Sequence, residues 1–228
     1  MAHKPGISVG QFSFTDLLYT DDRTMFLPST ADTSPCLASF SQTAASLGLE
    51  VSWPKTKLQN LGHGPQPPNT DVGGNLVESV DSFVYLGSLQ SSDGCCHPDL
   101  NRHISFATFT MASLSCVWKY KRLTVSTKIR LYQALVVSVL VYAAETWTLL
   151  AADVRTLEAF HMRCQCQILG IRWYHYIRND EVAFRTGLPP IVDHISNRRC
   201  ALFAHIARLP ESVPANQALR CHVNASLG

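Results

Sequence analysis

A stripe of apolar residues along residues 100–118 constrains the fold more than any other feature of the sequence. Its members recur at steps of three and four and are Leu100, Ile104, Ala107, Met111, Leu114 and Trp118. Residues at this spacing lie on one face of an α-helix, so the stripe predicts an amphipathic helix beginning near Pro98. A chain with such a face needs other elements to cover it.

Further helices are predicted after this one, and together they make the second half of the chain all-helical. Their ranges are about 126–147, 153–169, 179–186 and 192–209. In the helix over 153–169, Leu157, Phe160, Cys164 and Ile168 form the inward face, and Gly170 ends it.

The first half of the sequence is mixed. Residues 11–27 predict a β-hairpin whose turn carries Asp21 and Asp22. Ser34 and Pro35 open a helix that Gly48 ends. Residues 62–75 are rich in Gly and Pro and predict a loop, and residues 82–89 predict a strand bent at Gly87. The fold class is therefore α+β.

The charge distribution changes sign near residue 97. Residues 1–97 hold 4 basic and 9 acidic residues, a net charge of −5, and residues 98–228 hold 15 basic and 8 acidic residues, a net charge of +7. Such an asymmetry indicates parts with different tasks, although chance variation produces it too. The apolar content of 46% excludes wholesale disorder.

Nothing in the sequence predicts secretion or a membrane span. The first residues lack the apolar segment of a signal peptide, so we expect an intracellular protein, nuclear or cytoplasmic, whose eight cysteines stay mostly reduced. The longest apolar run, residues 134–144, is about half the length that a spanning helix needs.

The segment Tyr19-Thr20-Asp21-Asp22 is the sharpest chemical feature. Two adjacent carboxylates repel each other unless a cation neutralises them, and oxygen ligands of this kind suit Mg²⁺ or Mn²⁺. Two such ions can clamp the attacking and leaving oxygens of a nucleotidyl transfer. The alternative is an ordinary solvated acidic turn.

A series of segments in the same order resembles reverse transcriptases of non-LTR (LINE-type) retrotransposons. Residues 16–22 resemble the catalytic hairpin, residues 47–49 with 55–57 resemble the helix, turn and lysine motif after it, and residues 83–88 resemble the primer-grip hairpin. The later matches, to the thumb and the helices after it, are at residues 128–135, 142–147, 157–164, 168–173 and 185–190.

This resemblance implies a partial palm over residues 1–97, thumb-like helices over 98–150 and a helical extension over 151–228. Asp21 and Asp22 would be catalytic metal ligands for Mg²⁺ or Mn²⁺, and Lys55 or Lys57 would lie near the nucleotide phosphates. Tyr85, Leu86 and Gly87 would hold the primer end. The nucleic-acid-binding residues, facing an RNA template and a DNA primer, would be Lys119, Lys121, Arg122, Lys128 and Arg130.

Departures from the family pattern predict that the chain alone has no polymerase activity. The family has fingers and a further metal-binding aspartate upstream of the hairpin, and only about a dozen residues precede it here. Asp16, on the same hairpin, cannot replace a ligand from a neighbouring strand. Arg23, directly after the aspartate pair, could pair with those carboxylates and compete with a metal.

Three alternatives remain. The basic helices could form a non-catalytic nucleic-acid-binding module, or the chain could act through protein interaction, with self-association through an uncovered palm surface. The third alternative is a structural zinc site. Cysteine and histidine ligands for zinc are present, but no pair has the C-x₂-C spacing of such a site.

Overall fold

A computed structural model describes residues 6–9, 12–62 and 64–227. It confirms the α+β class, with small sheets in the first part of the chain and helices after them. Within the described residues, no helix is both long and apolar enough to span a bilayer.

The described residues form two compact units. One consists of the residues up to Phe83 together with those from Phe203 onward, and the other is Val84–Leu202. The division at residues 97 and 150 that the resemblance implies stays a prediction.

Residues 7–25 form two hairpins, where the sequence predicts one. Strands β1 (Ile7–Val9) and β2 (Phe12–Phe14) pair antiparallel, as do β3 (Asp16–Tyr19) and β4 (Asp22–Met25). The predicted hairpin is confirmed for residues 16–25, whereas residue 11 lies outside the described residues. Strand β2 pairs with the strand before it, which the sequence did not predict.

Helix α1 (Thr33–Ser46) begins before the predicted start, because a 3₁₀ turn over Thr30–Asp32 leads into it. Its predicted end at Gly48 is confirmed. Gly48 has φ +75°, and the Leu49 N–H donates to the Ala44 carbonyl over 2.9 Å, as in a Schellman motif.

The predicted loop over residues 62–75 is wrong for its second half. Strands β5 (Lys57–Leu58), β6 (Thr70–Val72) and β7 (Asn75–Ser79) form a sheet in the order β5-β7-β6. Gly73 and Gly74, both with positive φ, form the two-residue turn between β6 and β7. The glycines therefore make a hairpin turn, and Leu37, Val72 and Val77 form a small core beside it.

The predicted single strand over residues 82–89 is two strands, β8 (Ser82–Tyr85) and β9 (Ser88–Ser91), which pair with each other. Leu86 and Gly87 form the turn, with φ of +49° and +83°. Positive φ at both turn positions is the signature of a type I′ hairpin.

The stripe of the second half is confirmed as a helical core face. Helix α2 (His97–Ser113) buries Leu100, Ala107 and Met111, and α3 (Ser115–Lys119) buries Trp118. The helical segment over 126–147 is interrupted. It consists of α4 (Val125–Tyr132), a π-helical turn (Gln133–Val137), α5 (Ser138–Leu140) and a 3₁₀ turn (Ala144–Thr146).

The remaining helices agree closely with the predicted ones, with one addition. They are α6 (Ala151–Leu169), α7 (Asn179–Thr186) and α8 (Ile191–Ala207). The predicted inward face of α6 is buried, and Gly170 ends the helix with φ +69°. The last helix, α9 (Pro214–Leu227), was not predicted.

Candidate functional site

Asp21 and Asp22 lie at the tip of the β3–β4 hairpin and are exposed. Tyr19 pairs with Asp22, so Thr20 and Asp21 alone form the turn. Thr20 has φ +55°, a left-handed conformation that is costly for a β-branched residue. Asp21 therefore lies on a strained two-residue turn and Asp22 is the first residue of β4, and both carboxylates are presented to solvent.

Arg23 does not pair with these carboxylates. Its guanidinium forms an ion pair with Asp16 at 2.9 Å, on the same hairpin, and lies 4.8 Å from the centre of the Phe40 ring. Among the described residues, no cation lies within ion-pair distance of Asp21 or Asp22. Arg23 therefore pairs with Asp16 and does not compete with a metal for Asp21 and Asp22, contrary to the expectation from the sequence.

The two lysines proposed for the nucleotide phosphates differ from each other. Lys57, in strand β5, donates to the Glu78 carboxylate of β7 over 2.6 Å, and the two residues are register partners. Lys55 is exposed on the turn before β5. In the part of the chain that is described, no three His, Cys, Asp or Glu side chains converge as a metal site would require.

The β8–β9 hairpin at Tyr85, Leu86 and Gly87 is fixed to the helices of its own unit. The Tyr142 hydroxyl donates to the Leu86 carbonyl and Arg102 donates to the Gly87 carbonyl, both over 2.9 Å. A Cβ at Gly87 would lie 3.0 Å from the Tyr142 ring, so only glycine allows this close approach. Tyr85 is half-buried, while Leu86 is exposed.

Asp99 anchors the second strand of this hairpin. Its side chain is buried, and it accepts hydrogen bonds from the Ser88 hydroxyl (3.1 Å), the Leu89 N–H (2.8 Å) and the Trp147 indole (2.9 Å). His103 lies 3.5 Å from the same carboxylate. A buried carboxylate with several donors is well satisfied, so Asp99 positions the hairpin against α2.

The predicted nucleic-acid-binding residues fall into two groups. Lys119 and Lys121 are exposed and line a cleft of about 590 Å³. Lys128 lines the same cleft but is buried, and its ammonium donates to the Trp118 carbonyl over 2.6 Å. Arg122 and Arg130 are exposed, and the cleft walls are formed without them.

A buried polar chain crosses the helical core. The Tyr132 hydroxyl lies 2.7 Å from His161 Nδ1, and His161 Nε2 lies 3.2 Å from the Pro189 carbonyl. With Nε2 protonated, His161 donates to that carbonyl and accepts from the tyrosine. Burial lowers the pKa of His161 and raises the pKa of Tyr132.

Cys164 lies beside Tyr132 in the same core, where burial raises the pKa of its thiol to about 12. Because zinc binds the thiolate, this burial opposes a zinc role for Cys164. Cys95 and Cys200 are exposed. Self-association also stays a prediction. In the first part of the chain, the most exposed large apolar residues are Leu18, Tyr19, Leu47, Leu49, Leu61 and Leu76.

Sequence reasoning missed several residues that shape these sites: Asp99, Arg102, Tyr142, Arg163 and Arg172. Asp99 lies in the first turn of a helix, directly after Pro98. An acidic residue is common there because it interacts favourably with the helix dipole, so the sequence gives no sign of its tertiary partners. Arg163 and Arg172 belong to the cleft, but 41 or more residues separate them from Lys119 and Lys121 in the chain. No short sequence pattern links such distant positions.

Comparisons with known proteins give one weak similarity. An uncharacterized transposon-derived protein of Caenorhabditis elegans is 21% identical over 214 residues, which span 86% of this chain and 72% of that protein. No family model and no solved structure matches the chain.

Proposed function

We propose that the chain derives from a transposon and corresponds to part of the palm, the thumb and the following helices of a non-LTR reverse transcriptase. The similarity to a transposon-derived protein supports the origin. The collinear motifs in the sequence support the specific enzyme. The single observation that carries the proposal is the exposed Asp21-Asp22 pair at the tip of the β3–β4 hairpin, free of ion pairs with any described cation.

The two carboxylates fit a hard divalent cation such as Mg²⁺ or Mn²⁺. Bound there, a metal would stabilise negative charge on the oxygens of a transferring phosphoryl group. Asp21 and Asp22 supply two carboxylates, and a further ligand from elsewhere would be needed to complete the site. We therefore propose that this chain alone binds metal weakly and extends no primer.

Manganese binding tests the carboxylate site. Paramagnetic relaxation or EPR titration with Mn²⁺ should detect binding to the chain that the variant Asp21→Asn/Asp22→Asn loses. The matched control is Asp180→Asn/Glu181→Gln, a second adjacent acidic pair whose members already pair with Arg178 and Arg185. Equal Mn²⁺ binding by the wild type and the Asp21/Asp22 variant would contradict the proposal.

A primer-extension assay tests the predicted inactivity. With an RNA template, an annealed DNA primer and either Mg²⁺ or Mn²⁺, we expect no extension by the chain. Extension that disappears in Asp21→Ala would overturn the inactivity and would establish the polymerase directly.

A second candidate function is non-catalytic nucleic-acid binding by the helical region. The observation that favours it is the cleft beside Lys119 and Lys121, which no acidic side chain lines. This function predicts salt-sensitive binding of a primer–template hybrid that Asp21→Asn/Asp22→Asn leaves unchanged. Absence of binding at low salt would exclude it.

A further inference from the structure

We propose that the cationic cleft in the Val84–Leu202 unit, together with the exposed aromatic segment Trp173–Tyr176, binds single-stranded RNA. Phosphates occupy the cleft and bases stack on the aromatic rings. The choice of RNA as ligand rests on the nucleic-acid partner of the proposed function, but the site itself is separate from the Asp21-Asp22 hairpin.

The cleft gathers cations that have no carboxylate partner. Besides the buried Lys128, its walls carry Lys119 and Lys121 near the end of α3, Arg163 on α6 and Arg172 just beyond α6. These four side chains belong to exposed residues, and none forms an ion pair with a described acidic residue. Like charges around one cleft repel, and a polyanion relieves that repulsion.

The aromatic segment continues directly from the cleft wall. After Arg172, a 3₁₀ turn over Trp173–His175 presents Trp173, which is 84% exposed, and Tyr176 follows at 86% exposed. Tyr176 adopts a left-handed backbone with φ +52°. Large aromatic rings normally gain stability from burial, so two rings held in solvent beside a cationic cleft form a stacking platform for bases.

The segment is locally ordered. The Arg172 N–H donates to His175 Nδ1 over 3.2 Å, and the His175 N–H donates to the Arg172 carbonyl over 2.9 Å. Tyr174 makes edge-to-face contacts with Trp173 and His175, at ring-centre distances of 5.7 and 4.7 Å. The Trp173 ring is therefore held against Tyr174 before a ligand arrives, which lowers the entropy cost of stacking on it.

The end of α6 favours RNA over DNA. Its last turn lines the cleft, and the Ile168 and Leu169 carbonyls have no donor four residues on within the helix. The Cys166 and Gln167 carbonyls, in contrast, accept from the Ile171 and Gly170 N–H groups. A carbonyl without a backbone donor can accept a hydrogen bond from a ribose 2′-hydroxyl, which deoxyribose lacks, and from this we infer the preference for RNA.

Fluorescence anisotropy with a labelled oligouridylate tests the site, using the full chain. We expect salt-sensitive binding that weakens at least about fivefold in Trp173→Ala/Tyr176→Ala, because stacking contributes substantially per base. Phe109→Ala is the matched control, since Phe109 is a similarly exposed ring, 76% exposed, on α2 and outside the cleft. The single Trp173→Ala variant gives the same test where the double variant is poorly folded.

The salt dependence of binding tests the cationic cleft separately from the aromatic rings. Lys119→Gln/Arg163→Gln should reduce the slope of log affinity against log salt by about 1.4, the loss of two phosphate contacts on a single strand. Arg155→Gln/Arg208→Gln removes the same charge from outside the cleft and should leave the slope unchanged.

Several results would overturn the proposal. Unchanged affinity in Trp173→Ala/Tyr176→Ala, an unchanged slope in the cleft variant, or equal affinity for oligodeoxythymidylate would each do so. Self-association in light scattering that the aromatic variant abolishes, with unchanged RNA affinity, would identify a protein interface instead. Binding of the primer–template hybrid and of Mn²⁺ tests the proposed function in separate experiments. Failure of the proposed function can therefore be distinguished from failure of this RNA site.

Discussion

Asp99 joins three parts of the Val84–Leu202 unit through one carboxylate. Replacing it by alanine leaves the Ser88 hydroxyl, the Leu89 N–H and the Trp147 indole without their acceptor in a buried place. Each unsatisfied buried donor costs about 1–3 kcal/mol, so we expect Asp99→Ala to lower the free energy of unfolding by about 3 kcal/mol or more. Urea unfolding measures this loss.

The matched control for this prediction is Asp193→Ala, an exposed aspartate in the first turn of α8. It should cost less than about 1 kcal/mol, the usual size of a helix-dipole interaction at the surface. Equal losses in the two variants would show that the Asp99 hydrogen bonds contribute nothing beyond a surface charge.

His161 makes the stability of the same unit depend on pH. Burial, with a smaller effect of His194, lowers its pKa below the value of 6.5 expected in the unfolded chain. The unfolded state therefore binds more protons near that pH, and stability is retained above pH 6.5 and lost as the pH falls toward the lowered pKa. Urea unfolding at pH 7.5 and 5.5 should show this loss, and His161→Gln should show less of it.

The His161→Gln comparison isolates one group, because glutamine can accept from Tyr132 and donate to Pro189 without titrating. The lowered pKa of Asp153, caused first by its hydrogen bond from His97, acts at lower pH, below about 4. Identical pH dependence in the wild type and His161→Gln would contradict the assignment to His161.

At the scale of elements, the tight turns separate what the sequence could predict from what it could not. The helical stripe and the glycine ends of α1, α6 and α7 follow from local periodicity and from backbone freedom at Gly48, Gly170 and Gly187. The sequence does not predict strands β6 and β7, because the Gly73-Gly74 pair that forms the turn between them is equally typical of a loop. The sequence does not predict the cleft either, because only tertiary packing brings Arg163 and Arg172 close to Lys119.

The Leu86-Gly87 turn gives two opposite predictions within one hairpin. Leu86→Gly should stabilise by about 0.5–1 kcal/mol, because glycine adopts φ +49° without strain and this outweighs its larger loss of entropy. Gly87→Ala should destabilise by about 1–2 kcal/mol or more, since it combines a left-handed alanine with the close Tyr142 ring. Urea midpoints measure both, and changes of the same sign would contradict the turn geometry.

At the scale of the whole molecule, the two units have cores of very different size. In the described residues, a cluster of three buried residues supports the first unit, whereas twenty buried residues form the cluster of Val84–Leu202. Burial of apolar surface is the main stabilising term, so the first unit should unfold at lower urea concentration.

Tryptophan fluorescence can follow the two units separately. Trp53 packs against the small cluster of the first unit, while Trp118 and Trp147 are buried in the second. We expect two transitions in urea. In the Trp53→Phe variant, the earlier transition should disappear from the fluorescence signal but remain visible by circular dichroism. A single transition that coincides for both probes in the wild type would show that the units unfold as one, and that the small core is stabilised by more than its own buried residues.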